Sequence, residues 1–304
     1  MTVIDAHHHV WDLAVRDQDW ISGEQMAPIR RSFTLDDLRP QARAAGVDAT
    51  VLVQTVTVAA ETPEMLALAA ADPLVAGVVG WTDLTSPGIA DELARLAAGP
   101  GGDHLVSIRH QVQSEPDPGW LRRPDVIRGL RAVEAAGLCY DLVVRPHQIP
   151  AASFAAAAVP GLTFVLDHAG KPPIESGDVT APRAWTAAIG AFAALPNATC
   201  KLSGLVTEAP VGTPREAFAP VADVVLSAFG ADRVMFGSDW PVCLLASDYA
   251  GVLALARSLV AGLSAAERAA VFGETASRAY RIGTRRQDAG MMKKPKRERG
   301  HGAD

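Results

Sequence analysis

The segment VIDAHHHVWD, residues 3–12, decides how the rest of the chain is read. It places three of the eight histidines in one run, His7, His8 and His9, between the acids Asp5 and Asp12. The apolar lead-in from Val3 to Ala6 reads as a β-strand, in which successive side chains point to opposite faces. His7 and His9 then share one face, and His8 takes the other. Two imidazoles on one strand face make half of a metal or acid–base site. The competing reading is a polar strand end with no chemistry.

With the first run at residues 3–9, seven more apolar runs follow at 49–54, 75–81, 105–111, 138–144, 162–168, 198–202 and 233–237. Many are rich in Val, Leu and Ile, as parallel strands buried on both faces are. Helical stretches lie between them. The first has Thr34 before it, Gly46 after it and Pro40 within; the second has Thr62 as cap and Pro63 at its first helical position. Eight strands alternating with helices over about 280 residues predict an α/β fold, a single-domain (β/α)8 TIM barrel across residues 1–284. A doubly wound open sheet is the alternative. No Gly-rich GxGxxG turn follows the first strand to support a dinucleotide fold, and no organic cofactor is expected. No linker divides the body.

The 304 residues are 49% hydrophobic and 20% charged, as in a soluble globular protein with a substantial core. No apolar run is long enough to span a bilayer, and no signal-peptide pattern opens the chain. Cys139, Cys200 and Cys243 lie far apart without CxxC spacing, so a reduced, cytoplasmic protein is expected. Of the net charge of −6, the seven basic and three acidic residues from Arg285 to Asp304 give that tail +4, leaving the body at −10. Such a body disfavours nucleic acid as a partner. The tail has no periodicity and reads as a disordered basic extension, residues 285–304. The expected partner is a small molecule, with no nucleic acid and no membrane; a homo-oligomer is left open. Five lysines stand against 23 arginines, and the body keeps only Lys171 and Lys201. These two fit positions that need a compact ammonium, with compositional drift as the alternative.

In a barrel of this kind the chemistry gathers at the C-terminal ends of the strands. The first strand brings His7 and His9 there, and the third Trp81 and Asp83. The fourth supplies Arg109, His110 and Gln113, and the fifth Asp141, Arg145 and His147. The sixth supplies Asp167, His168 and Lys171, the seventh Lys201 and Ser203, the eighth Ser238, Asp239 and Trp240. Five of the seven body histidines therefore fall on one predicted face. Any one alone is ordinary; their joint collection points to a site.

The segments DAHHHVWD, RHQVQSEPDPGW, YDLVVRPHQ, LDHAGKP and FGSDWPVCLL resemble the amidohydrolase-related lactonases that open sugar-acid lactones, of the L-fuconolactonase and L-rhamnonolactonase kind. The resemblance extends to FGETASRAYRI, which ends at Ile282. The HxH pair and the eighth-strand acid are common to the wider superfamily, and the fourth- and fifth-strand segments are the more specific. The resemblance implies that His7, His9, His168 and Asp239 hold one divalent, zinc-like ion if a metal is bound; a metal-free member is equally compatible with it. Two-metal members use a carbamylated lysine or a glutamate on or near strand four. Arg109 and His110 stand there in this chain, which argues against a bridged two-metal centre.

A lactone is a cyclic ester, and its hydrolysis needs an activated water, a sink for carbonyl charge and a proton for the leaving alkoxide. Asp239 is the expected general base, with His168 as its catalytic partner. The competing reading of Asp239 is a cap on the turn before Pro241. Without a metal, Arg109, His110 or Lys171 would supply the positive field. Trp81 and Trp240, with Trp11 and Trp20, are expected against a sugar ring, although tryptophan is equally a core residue. Gln113, Arg145 and His147 are expected at hydroxyls. The rival functions are a metal-dependent decarboxylase of the same superfamily, a lactonase for a dicarboxylate lactone from aromatic breakdown, and a non-catalytic barrel that binds sugar acids.

Overall fold

The computed structural model of the chain describes residues 2–174 and 182–283. Its eight strands are all parallel and lie side by side in chain order: β1 (Ile4–His8), β2 (Ala49–Val53), β3 (Val75–Gly80), β4 (Leu105–His110), β5 (Cys139–Leu142), β6 (Phe164–Leu166), β7 (Ala198–Leu202) and β8 (Val234–Phe236). A helix follows each strand: α1 (Leu35–Ala45), α2 (Glu61–Ala71), α3 (Ile89–Ala98), α4 (Pro124–Ala135), α5 (Ile149–Ala158), α6 (Arg183–Ala193), α7 (Ala219–Phe229) and α8 (Tyr249–Leu259). Two short helices, α9 (Ala265–Ala269) and α10 (Thr275–Tyr280), end the described body. This is a single-domain (β/α)8 barrel, and the open doubly wound sheet is excluded. The expected tail, 285–304, lies outside the described residues.

The alternation of side chains along each strand divides the apolar residues into two cores. Val51, Val53, Val79, Val106, Val165 and Met235 fill the barrel interior together with Ala276 and Tyr280 of α10. Leu52, Val78, Ile108, Leu142, Leu166 and Phe236 point outward into the larger core beneath the helices. Both strand faces are thus dry, which is why the sequence reads as unbroken apolar runs.

Closure of the barrel uses residues just beyond β8. Asp239 N donates to the His7 carbonyl at 2.8 Å and His9 N to the Trp240 carbonyl at 2.7 Å. The two segments approach closely because residue 237 is glycine: a β-carbon there would lie 2.6 Å from His7 Cβ. β1 also carries an irregularity. It advances from Asp5 to His8 while β2 advances only from Thr50 to Leu52. Ile4 and Ala6 face the barrel interior, and Asp5 faces outward, accepting from Tyr249 Oη of α8 at 3.0 Å. Simple alternation from Ile4 would send His7 outward; the extra residue re-aims it inward, as bulges beside active sites do.

One helix start differs from expectation. α2 begins at Glu61, and Thr62 lies inside it. The Thr62 hydroxyl accepts from Trp81 N at 2.7 Å and donates to Trp81 O at 2.8 Å, so it fixes the end of β3 and is not a cap. Among the described residues no helix is long and apolar enough to cross a membrane.

Candidate active site

A cavity of about 260 Å³ opens at the C-terminal end of the barrel. His9, Arg109, His168 and Asp239 line its inner part. Each is at most 5% exposed. Trp20, Gln113, Lys171 and Glu208 line it as well and are only half-buried.

Asp239 sits at the convergence of three imidazoles. Its Oδ1 lies 3.4 Å from His9 Nε2, 3.6 Å from His7 Nε2 and 3.9 Å from His168 Nε2. Burial works against its charge, but His168, His9 and His7 outweigh that and hold the carboxyl below its ordinary range. The side chain takes no backbone hydrogen bond among the described residues, so it is not a turn cap. Burial pushes His7 and His168 toward the neutral form. His9 Nδ1 faces the Val53 carbonyl at 2.8 Å, so that nitrogen carries a hydrogen and Nε2 is turned to the site. His168 Nδ1 contacts Ser203 Oγ at 2.9 Å.

His7 Nε2, His9 Nε2 and Asp239 Oδ1 stand 3.2, 3.4 and 3.6 Å apart pairwise. Neighbouring ligands on a tetrahedral ion with bonds of about 2.1 Å are about 3.4 Å apart. The residues present therefore fit one divalent metal ion, and the chemistry of two imidazoles and a carboxylate suits zinc. A second grouping, His7, Asp167 and His168, fits less well, because Asp167 is already engaged by two cations.

Those cations form a buried layer under the histidines. Arg109 Nη1 donates to Asp167 Oδ2 at 2.8 Å and lies 3.5 Å from His7 Nε2. Its Nε and Nη2 donate to the side chain and carbonyl of Gln54 at 2.9 and 2.5 Å. Lys201 is completely buried, with Nζ 2.5 Å from Asp141 Oδ2, 3.0 Å from Asp167 Oδ1 and 3.2 Å from His7 Nδ1. Tyr280 of α10 closes the layer from below by donating to Asp141 at 2.8 Å. Burial opposes the Asp167 charge, yet Lys201, His7 and Arg109 hold the carboxyl well below the usual range. Burial raises Asp141 despite Lys201. The two cations are thus matched by two acids.

The loop after β6 is unusual. His168, Ala169, Gly170 and Lys171 all have positive φ, at 54, 51, 68 and 56°. A left-handed turn costs roughly 1–2 kcal/mol per non-glycine residue. Packing and hydrogen bonds offset it: Lys171 N donates to the His168 carbonyl at 2.8 Å, and Trp185 Nε1 donates to the Ala169 carbonyl at 2.8 Å. The turn swings His168 over the cavity and leaves Lys171 at its edge.

Residues 4–282 match the amidohydrolase family model. The chain belongs to the amidohydrolase family. An L-fucono-1,5-lactonase of Burkholderia multivorans is 40% identical over 288 residues, covering 92% of this chain and 96% of the relative. A second, of Burkholderia ambifaria, is 38% identical and covers 92% and 95%. A solved Burkholderia multivorans amidohydrolase with bound zinc superposes with a TM-score of 0.87 at 38% identity, covering 93% of this chain and all of the other. A solved Pseudomonas putida structure, TM-score 0.74 at 23% identity, shares the fold.

In this amidohydrolase the structure brings His7, His9, His168, Asp239 and Arg109 together, with Gln113 and Lys171 on the same cavity. It places five other sequence candidates elsewhere. Trp240 is wholly buried and packs edge-on against Phe33, so it belongs to the core and not to the mouth. His110 accepts from Trp81 Nε1 at 3.0 Å, which makes its Nε2 the donor to Glu115 at 2.7 Å; it also stacks on Trp120. Trp81 and His110 thus brace the wall and do not line the cavity. Arg145 is exposed, with Nε donating to the Gln113 carbonyl at 3.2 Å, and His147 is exposed beside it. Gln54 and Glu208 were not singled out from sequence. Gln54 ends an apolar run, a signal that was readable, whereas Glu208 sits in a loop with none.

Proposed function

We propose that the chain hydrolyses a neutral sugar-acid lactone, of the L-fucono-1,5-lactone kind, to the open-chain acid. The observation that carries this reading is the ionised Asp239 carboxylate on the cavity floor, within 4 Å of three buried imidazoles, in a chain 40% identical to an L-fucono-1,5-lactonase. Asp239 takes a proton from water as the oxygen attacks the lactone carbonyl. Arg109, locked by Gln54 and Asp167, has a remaining guanidinium hydrogen for the developing oxyanion. The ring C–O bond breaks, and the proton on Asp239 passes to the leaving alkoxide, with His168 holding the carboxylate in place. The new acid ionises and releases one proton per turnover.

His7, His9 and Asp239 would hold a divalent ion such as zinc. When bound, it supplies Lewis-acid polarisation of a carbonyl or water. A dicarboxylate lactone is disfavoured by the pairing of Arg109 with Asp167 and of Lys171 with Glu208, which leaves these cations matched by acids. The decarboxylase reading shares only the fold: a 2,6-dihydroxybenzoate decarboxylase is 14% identical.

A pH-indicator screen of five- and six-membered aldonolactones tests the reading. Turnover of a sugar lactone is expected. No rate above buffer across the panel, with carbon dioxide released from an aromatic acid, would replace it with the decarboxylase.

A further inference from the structure

Lys171 and Glu208 face each other across the mouth of the cavity, Nζ to Oε1 2.5 Å, each about one-fifth exposed. They come from different loops. Lys171 ends the left-handed turn after β6, and Glu208 follows a short turn, Leu205–Thr207, after β7. Ile174 N donates to the Glu208 carbonyl at 3.3 Å, which ties the two loops by backbone as well. The pair is therefore built into the scaffold and not a chance meeting of two surface chains.

We infer that Lys171 and Glu208 act as one clamp for neighbouring hydroxyls of the substrate, and that Glu208 is the residue that denies the cavity to dicarboxylates. The inference rests on the lactonase reading and adds the chemistry that selects among lactones. A hydroxyl both donates and accepts. Two adjacent hydroxyls can accept from the Lys171 ammonium and donate to the Glu208 carboxylate at once, and the ion pair need not break. A carboxylate only accepts, and beside Lys171 it would meet Glu208 as a like charge. The other fixed cation on the cavity, Arg109, is balanced by Asp167 at 2.8 Å, and Asp239 adds a negative charge. Glu208 thus neutralises Lys171, which among the described residues lining the cavity is the cation that could otherwise welcome a second carboxylate. Its exchange for a neutral isostere should turn a polyol clamp into an anion site.

Glu208→Gln in the full chain tests this, with a neutral aldonolactone as substrate and glutarate, an unreactive dicarboxylate, as competitor. Loss of one charged hydrogen-bond partner should raise KM about tenfold with kcat kept within about threefold. The freed Lys171 should tighten glutarate inhibition by about tenfold or more, and the double variant Lys171→Met/Glu208→Gln should erase that gain. Unchanged KM and unchanged glutarate inhibition would overturn the inference. So would a fall in kcat at constant KM, which is the signature of a loop strut. Should no sugar lactone be turned over, calorimetric binding of glutarate to wild type and Glu208→Gln separates the two questions. Tighter binding to the variant then supports the charge block while the lactonase reading fails, and equal binding overturns the block as well.

Discussion

Gly204 stands so close to His168 that a β-carbon on residue 204 would lie 2.5 Å from His168 Nδ1 and 3.2 Å from Asp239 Oδ2. Its φ of +64° is also one that other residues adopt with strain. Gly204→Ala must therefore move the imidazole or the loop. The expected result is a loss of kcat by about tenfold or more, from misplacement of a reacting group. Stability should fall by only about 1–2 kcal/mol, the cost of one left-handed alanine. Steady-state kinetics with a melting curve check it; wild-type kcat would show that His168 position is immaterial.

Asp239→Asn keeps size and shape and removes the base. The backbone role of residue 239 in closing the barrel is preserved, since Asp239 N and not its side chain bonds to His7. Turnover should fall by about two to four powers of ten, the usual size of a lost general base. Circular dichroism should be unchanged. Near-wild-type activity would remove Asp239 from the mechanism.

His8 separates structure from catalysis. It is fully buried, neither ring nitrogen has a partner among the described residues, and burial pushes its pKa down to about 3. The unfolded chain holds the extra proton at pH values between 6.5 and 3 that the folded chain refuses. Stability is thus fully present above pH 6.5 and is lost as the pH falls, by up to about 1.4 kcal/mol per unit from this group. His8→Leu should flatten that loss, read as the difference between wild-type and variant denaturation curves at pH 7 and pH 4.5. Turnover at neutral pH should stay near wild type in His8→Leu, while His7→Gln and His9→Gln should lose it. A crippled His8 variant would overturn the bulged reading of β1.

Lys201→Met leaves Asp141 and Asp167 in the barrel interior without their shared ammonium. Breaking a buried ion pair from one side costs about 3–5 kcal/mol. Denaturant unfolding should show a loss of that order. A loss below about 1 kcal/mol, the worth of a surface pair, would mean that water reaches the layer.

Zinc added to metal-stripped protein should raise the melting temperature, because an ion that binds only the folded state stabilises it. His9→Asn should abolish the rise and leave the metal-free melting temperature nearly unchanged. A rise that persists in the variant would place the ion elsewhere.

The barrel was legible because buried parallel strands are written as apolar runs, and all eight lie where those runs are. The candidate site was legible where its residues lie at strand ends, as with His7, His9, His168 and Asp239. It was misread where a polar or aromatic residue at a strand end serves the wall: His110 is bracketed by Trp81, Glu115 and Trp120, and Trp240 packs on Phe33. Glu208 escaped notice because its meaning comes from Lys171, 37 positions away. The irregularity in β1 also leaves no mark, since one extra residue in a strand changes the facing of its neighbours without changing their type. The three histidines still alternate correctly because the irregularity lies before His8.

The hydrogen bonds that join the first strand to the end of the eighth run between His7 and Asp239 and between His9 and Trp240. Three of those four residues carry side chains of the candidate site or its floor. The seam of the barrel and its chemistry are therefore the same place. Those contacts join segments more than 230 positions apart, which puts them among the slowest to form as the chain folds. A partly folded chain with an open seam would have the imidazoles of His7 and His9 on one edge and the Asp239 carboxylate on the other, so the candidate site is complete only once the seam has closed.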